Sequence, residues 1–298
     1  MWDEIQFAIS LAVSGLSIGL MYSLIALGFV LVYKATDAIN FAQGEFVMLA
    51  GFVAAVALGA KGMPVIGAVL AAVAVMVAFG FGLERVVLRP LLGRPVVAVI
   101  MATIGLGAIL RGLPPITVGG ETRAVSLPIG DTPITFGPIS LPPIQVLGVI
   151  VTLMFLGAFT WFFLKSRMGV AMRAVADNQQ VAMAMGINVE RYFALAWAMA
   201  GTVSALGGVI WGSMLGVDVH LALVGLKVFP VVILGGLDSI IGAVVGGLIV
   251  GLVESLAAGY LDPYVGGGTK DFAPYVVMII ALMFKPYGMF GTHRIERV

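Results

Sequence analysis

The residues of this sequence that could do chemistry are few, and they stand where long apolar stretches are interrupted. Asn40, Gln43 and Glu45 lie in one break, KATDAINFAQGE; Asp238 lies in a second, LGGLDS, and Glu254 follows it. An ionisable group in an apolar medium is costly unless it faces protein or water, so these five residues are expected on a translocation pathway. For Glu45 the alternative is a glutamate at the aqueous end of a helix. Paired interruptions in the two halves of a chain point to a transport site between structural repeats.

Enzymatic chemistry finds little support. No cysteine is present, which removes disulfides, thiolate metal sites and cysteine nucleophiles. His220 and His293 are too few for a histidine cage and are read as solvated or satisfied. The GGGTK at 266–270 has threonine and lysine in the wrong order for a phosphate-binding loop, and no Ser–His–Asp set or H-E-x-x-H is arguable. No catalytic residue and no metal ligand is therefore assigned.

The elements that must position the polar residues are membrane segments. The chain has 298 residues, 61% hydrophobic and 10% charged, with mean hydropathy +1.12, far outside the range of soluble domains. A net charge of +1 gives no reason to expect nucleic acid. Apolar runs at 7–33, 46–60, 65–83, 96–113, 144–164, 192–215, 221–234, 240–256 and 272–286 predict an all-α polytopic fold with eight or nine crossing or re-entrant helices. The run at 46–60 is short, so its helix is expected to begin earlier and carry Asn40, Gln43 and Glu45 into the membrane. Gly242 with Gly246, and Gly247 with Gly251, are four apart, a spacing that lets helix backbones approach closely. Arg111, near the end of its span, is read as snorkelling to the interface, with no function.

One domain, 1–298, is expected, with no cleavable signal peptide, since Asp3 and Glu4 stand where a positive region would be. Residues 114–143 hold seven of the chain's 14 prolines, which excludes helix there and predicts an extracytoplasmic cap of turns and short strands at 116–118 and 134–136. Basic residues cluster at Arg85, Arg89 and Arg94, in 165–191, and at Lys285, Arg294 and Arg297. The positive-inside rule then places these segments and the C-terminus in the cytoplasm and the N-terminus outside.

The stretch 165–191, KSRMGVAMRAVADNQQVAMAMGINVER, is the longest polar interruption with a basic cluster. A first short helix over 168–176 puts Arg173 and Asp177 four apart on one face. Asp177 or Asn178 can cap a second helix over 179–185, Gly186 can end it in the left-handed conformation, and Asn188 can cap the next span. Val181, Ala184 and Met185 share one side of that helix and Met183 another, suiting either a partner's groove or the lipid headgroups.

Four stretches in order, GLSIGLMYSLIALGFVLVYK (15–34), INFAQGEFVMLAG (39–51), RAVADNQQVAMAMGI (173–187) and LGGLDSIIGAVVGGLIVGLVE (234–254), resemble the LivH-type permeases, the membrane subunits of branched-chain amino-acid ABC importers. The resemblance covers nearly the whole chain. It implies a multi-pass protein of the bacterial inner membrane that moves an amino acid by alternating access. It also implies cytoplasmic ATP-binding subunits, a related second permease subunit and an extracytoplasmic solute-binding protein as partners. ATP would be hydrolysed by those subunits, with no cofactor bound by this chain. In this pattern 179–186 is the coupling helix, and Arg173, Asp177, Gln180, Ala182, Met183 and Gly186 are its coupling residues. Val181, Ala182 and Gly186 hold the spacing of the Glu-Ala-Ala-x-x-x-Gly docking motif, with Gln180 at the glutamate position. Asp238 and Ile241 depart from the family's usual glycine and proline. The rival from another class is a self-sufficient secondary transporter with Glu45 and Glu254 as ion-coupling groups; a channel would lack the docking loop.

Overall fold

The computed structural model describes residues 2–59, 61–91, 94–130, 132–137 and 139–292. His293, Arg294 and Arg297 lie outside them. The chain is an all-α polytopic protein. In order, the helices are α1 (Trp2–Thr36), α2 (Gln43–Gly59), α3 (Val65–Leu83), α4 (Val96–Thr117), α5 (Pro143–Lys165), α6 (Arg167–Asp177), α7 (Gln179–Ala184), α8 (Val189–Leu215), α9 (Leu223–Gly235), α10 (Ile240–Tyr260), α11 (Asp262–Val265) and α12 (Thr269–Phe284). Among the described residues, six helices are long and apolar enough to cross a membrane, and 43–59 and 219–235 are shorter apolar helices. A hairpin of β1 (Ile134–Phe136) and β2 (Ile139–Leu141) pairs antiparallel between α4 and α5.

Helix is not excluded at the start of 114–143, because α4 runs through Pro114 and Pro115 to Thr117. Both prolines lack the N–H that would serve the Leu110 and Arg111 carbonyls, and the helix runs on for only two residues beyond Pro115 before it ends. The 116–118 strand is therefore absent, whereas 134–136 is a strand.

The chain divides into two compact units, one of residues 27–128 and 154–225, the other of 1–26, 129–153 and 226–298. In the first, α2, α3 and α8 form the core. The Phe46 ring meets Phe79 edge-on with centroids 5.2 Å apart and Trp197 at 6.1 Å. Close backbone approach makes this layer possible: a Cβ on Gly208 of α8 would strike the backbone of α2 at Val47 and Gly51.

In the second unit, Gly15 and Gly19 of α1 face Gly247 and Gly251 of α10, and a Cβ on any of the four would overlap the opposite backbone or Ser23. Gly242 and Gly246 approach α9 in the same way, at Gly235 and Val231. Both glycine pairs seen in the sequence therefore have partner helices, with α1 supplying a reciprocal pair. Pro230 inside α9 cannot donate to the Leu226 carbonyl. The Tyr275 hydroxyl of α12 donates to that carbonyl instead, at 2.9 Å.

Candidate functional site

The first polar cluster forms where the chain turns from α1 into α2. Helix α2 begins at Gln43, so Asn40 precedes it, on irregular backbone, rather than within it as expected. Asn40 and Gln43 are nevertheless fully buried. Asn40 Oδ1 accepts from the Ala42 N–H at 3.0 Å, which shapes the turn, and Asn40 Nδ2 donates to Gln43 Oε1 at 3.1 Å. Gln43 Nε2 in turn donates to the Ser204 hydroxyl of α8 at 3.0 Å. The Phe41 N–H donates to Thr103 Oγ1 of α4 at 3.3 Å. A Cβ on Gly28 of α1 would collide with the Gln43 amide, so that glycine makes room for it.

These partners fix the depth of the turn. Gly107, packed against the Glu45 carboxylate, stands roughly 16 Å from either end of α4 at the helical rise of about 1.5 Å per residue, and Ser204 is near the middle of α8. The break after α1 thus lies midway along two helices of spanning length, a depth at which irregular backbone is tolerated only within protein or along a cavity. Glu45 pairs there with Arg111 of α4, Nε to Oε1 2.9 Å. The snorkelling read for Arg111 is replaced by this inward ion pair, because α2 starts deep enough to meet it. Nothing in the sequence signalled the pairing.

Glu254 sits in a second network. Tyr22 of α1 donates to Glu254 Oε2 at 2.9 Å, and Lys227 of α9 lies 3.7 Å from Oε1 and 2.8 Å from Asp271 of α12. Asp238 belongs to the same unit but joins none of this. Its carboxylate accepts from the backbone N–H of Thr292 at 3.2 Å and from the Thr292 hydroxyl, which ties the segment after α12 to the α9–α10 break. Ser239 caps α10 by accepting from the Gly242 N–H at 3.0 Å. Among the described residues no group of acidic or histidine side chains could hold a metal ion. His220 is exposed beside Asp218, Nδ1 to Oδ2 3.5 Å. Burial alone would raise the Asp218 pKa, but hydrogen bonds from the His220 N–H and the Thr122 hydroxyl outweigh it and hold the carboxyl below its usual value.

The stretch 165–191 folds as its local signals predict. Asn178 Oδ1 accepts from the Val181 N–H at 2.9 Å, Gly186 takes φ +81°, and Asn188 accepts from the Arg191 N–H at 3.1 Å. Gln180, Met183 and Gly186 are exposed, as is Asp177. Ala182 is 3% exposed and seats the helix, leaving Val181, Met183 and Met185 at 58%, 56% and 77%. Gln179 Nε2 donates to the Ala35 carbonyl at 3.3 Å. Arg173 makes no pair with Asp177. It donates to the Phe163 carbonyl and lies 5.4 Å over the Phe163 ring. The free carbonyls at the end of α5, with the negative end of its dipole, are better partners than a carboxylate four residues on in the weaker order.

Beside this stretch, α3 continues as a π-turn, Glu84–Leu88. The wider turn brings residues five apart to one side, and Arg89 bonds Glu84 through Nε at 3.2 Å and Nη2 at 3.1 Å. Arg89 Nη1 also reaches Glu190 in the first turn of α8, at 3.1 Å. The end of α3 is thereby tied to the helix that follows α7. Replacing Asn178 by alanine is expected to destabilise the protein by about 1 kcal/mol, because a helix this short has few bonds of its own; thermal melting in detergent measures it.

A polytopic helical fold, with a polar break at mid-depth and a short amphipathic helix exposed between two spans, defines a multi-pass membrane protein with a polar centre. The chain belongs to the permease component family of branched-chain amino acid transport systems, whose model matches residues 11–283. It is similar to the high-affinity branched-chain amino acid transport system permease protein BraD of Pseudomonas aeruginosa, 31% identical over 99% of each chain. The corresponding LivH of Escherichia coli K12 is 31% identical over the whole of both chains. The probable LivH of Methanocaldococcus jannaschii is 28% identical over 90% of this chain and 88% of its own. The protein is thus a multi-pass inner-membrane transport subunit of the ABC-importer permease type, and the ion-coupled reading is set aside.

Proposed function

We propose that this chain, with a related second permease subunit, carries a branched-chain or similar amino acid across the membrane, driven by cytoplasmic ATP-binding subunits and supplied by an extracytoplasmic binding protein. Beyond family membership, the observation that carries the coupling assignment is α7 itself: Ala182 anchors it while Val181, Met183 and Met185 face outward. Methionine packs adaptably into a partner's groove. Arg173 and Asp177 position and flank this helix, Gln180 offers an uncharged contact, and Gly186 permits the sharp exit. Residues 165–191 would be cytoplasmic, 114–143 an extracytoplasmic cap, the N-terminus outside and the C-terminus inside.

Closure of the ATP-binding subunits would displace α7. The link through Asn188 to α8, and through Glu190–Arg89–Glu84 to α3, would carry the displacement to the helices around the polar break. Such a shift is driven only by contacts that differ between the two states. Asn40, Gln43, Glu45, Asp238 and Glu254 are the residues that would line a pathway or hold its walls.

Replacing Met183 and Met185 together by aspartate tests the coupling role. At least a tenfold loss of co-purifying ATP-binding subunit is expected, with membrane insertion and melting temperature unchanged. Full retention of that subunit, or purification of the wild-type chain with no such partner, would overturn it.

A further inference from the structure

On the reading that this chain moves an amino acid, we propose that Glu45, Arg111 and the apolar cavity beside them form a binding subsite for a zwitterion with an apolar side chain. Glu45 would take the α-ammonium, Arg111 the α-carboxylate, and the cavity the side chain.

The two charges stand 2.9 Å apart, and the Arg111 side chain is 53% exposed whereas Glu45 is 8% exposed. A half-exposed guanidinium on a spanning helix faces water or protein rather than lipid. The pair therefore opens onto an accessible space. Its signs match the two ends of a zwitterion, and a guanidinium has donors enough to bind a carboxylate through two oxygens. Gly107 leaves room at the carboxylate, since an added Cβ would stand 3.2 Å from Glu45 Oε1.

The cavity, about 330 Å³, is lined from Leu49, four residues after Glu45, and from Leu113, two residues after Arg111. Leu49, Phe52 and Val53 line it from α2, Leu113 and Pro114 from α4, and Val75 from α3. Positions three and four apart on a helix share a face, so Leu49 follows Glu45 and Pro114 follows Arg111 on the same sides. The volume falls at the small end of ligand pockets, roughly 300–1,000 Å³, which are mostly apolar with a few convergent polar groups. Without solute the charges satisfy each other. With solute, one pair is exchanged for two, and an apolar side chain leaves water.

The test is ATP-driven uptake of L-leucine and L-alanine by the complete complex, with its binding protein saturated by each solute, in proteoliposomes. E45Q and R111Q are each expected to lower leucine uptake at least tenfold, and the neutral double variant E45Q/R111Q to stay at least as low. V53W, which narrows the cavity, is expected to lower the leucine-to-alanine uptake ratio at least tenfold. Recovery of uptake in the double variant would make the pair a structural bridge only, and an unchanged ratio in V53W would make the cavity a lipid groove. Either outcome overturns the subsite while leaving the importer reading intact. A wild-type complex with no ATP-driven uptake of either amino acid overturns both.

Discussion

Replacing Gly251 by leucine is expected to abolish the folded protein, with no monodisperse species on size exclusion in detergent. A Cβ there would overlap the carbonyl oxygen of Gly15 and the backbone nitrogen and Cα of Gly19. These are backbone atoms of a neighbouring helix, so no rotamer change relieves the overlap, and α1 and α10 must separate. Overpacking a core typically costs about 1–3 kcal/mol, and a clash of whole helix backbones falls at or beyond the upper end. A cost at the top of that range alone would leave part of a net stability of roughly 5–15 kcal/mol; the rest is lost because the separated helices also forfeit the dispersion contacts that drive helix association in lipid. Gly157 of α5 is the control, since an added Cβ there meets nothing within 4 Å. Leucine at Gly157 is expected to leave the melting temperature unchanged or raised, as glycine is the poorer helix former. Equal behaviour of the two variants would refute the close-packed seam.

Lys227→Met is expected to have the next largest effect, a destabilisation of about 3 kcal/mol. It leaves the buried Glu254 carboxylate with only the Tyr22 hydroxyl among the partners described above. Removing one member of a buried pair costs more than the pair contributes, because the other keeps its desolvation penalty. The cost falls at the low end of the range for a buried pair because the Lys227 side chain remains 28% exposed. Asp271→Asn is expected to cost less than about 1 kcal/mol, since that carboxylate is 61% exposed and screened by solvent. The double variant Lys227→Met/Glu254→Gln should recover most of the loss, and the cycle of melting temperatures reads the coupling directly. A double variant no more stable than Lys227→Met would show that the network is not a paired charge held out of water.

The short helix α7 and the glycine seam show what could be read along the chain. Local signals reached their targets. Asn178 and Asn188 cap their helices and Gly186 ends α7 because a cap depends on a side chain and the backbone within three residues of it. The apolar runs located the long helices because lipid demands a continuous stretch of apolar residues. The spacing of Gly242, Gly246, Gly247 and Gly251 marked a close seam, although which helix would enter it could not be read.

What the tertiary structure alone decided is depth and partnership. Arg111 looked like a snorkelling residue because its position along α4 is visible in sequence, while the depth at which α2 begins is not. That depth follows from the rise of the 37–43 segment, whose Phe41 N–H meets Thr103 and whose Gln43 side chain meets Ser204. Along the chain the neighbour of Arg173 is Asp177, whereas the packed structure offers the carbonyls of Phe163 and Leu164 at the end of α5. Pro230 removes a donor from α9, and the freed Leu226 carbonyl is satisfied only because α12 brings the Tyr275 hydroxyl to it. Composition and spacing determined that this chain is built of membrane helices with an exposed polar stretch at 165–191, because those properties depend on residues close in sequence. Which buried charges meet depended on how the helices pack, because an ion pair is formed between side chains brought close in space.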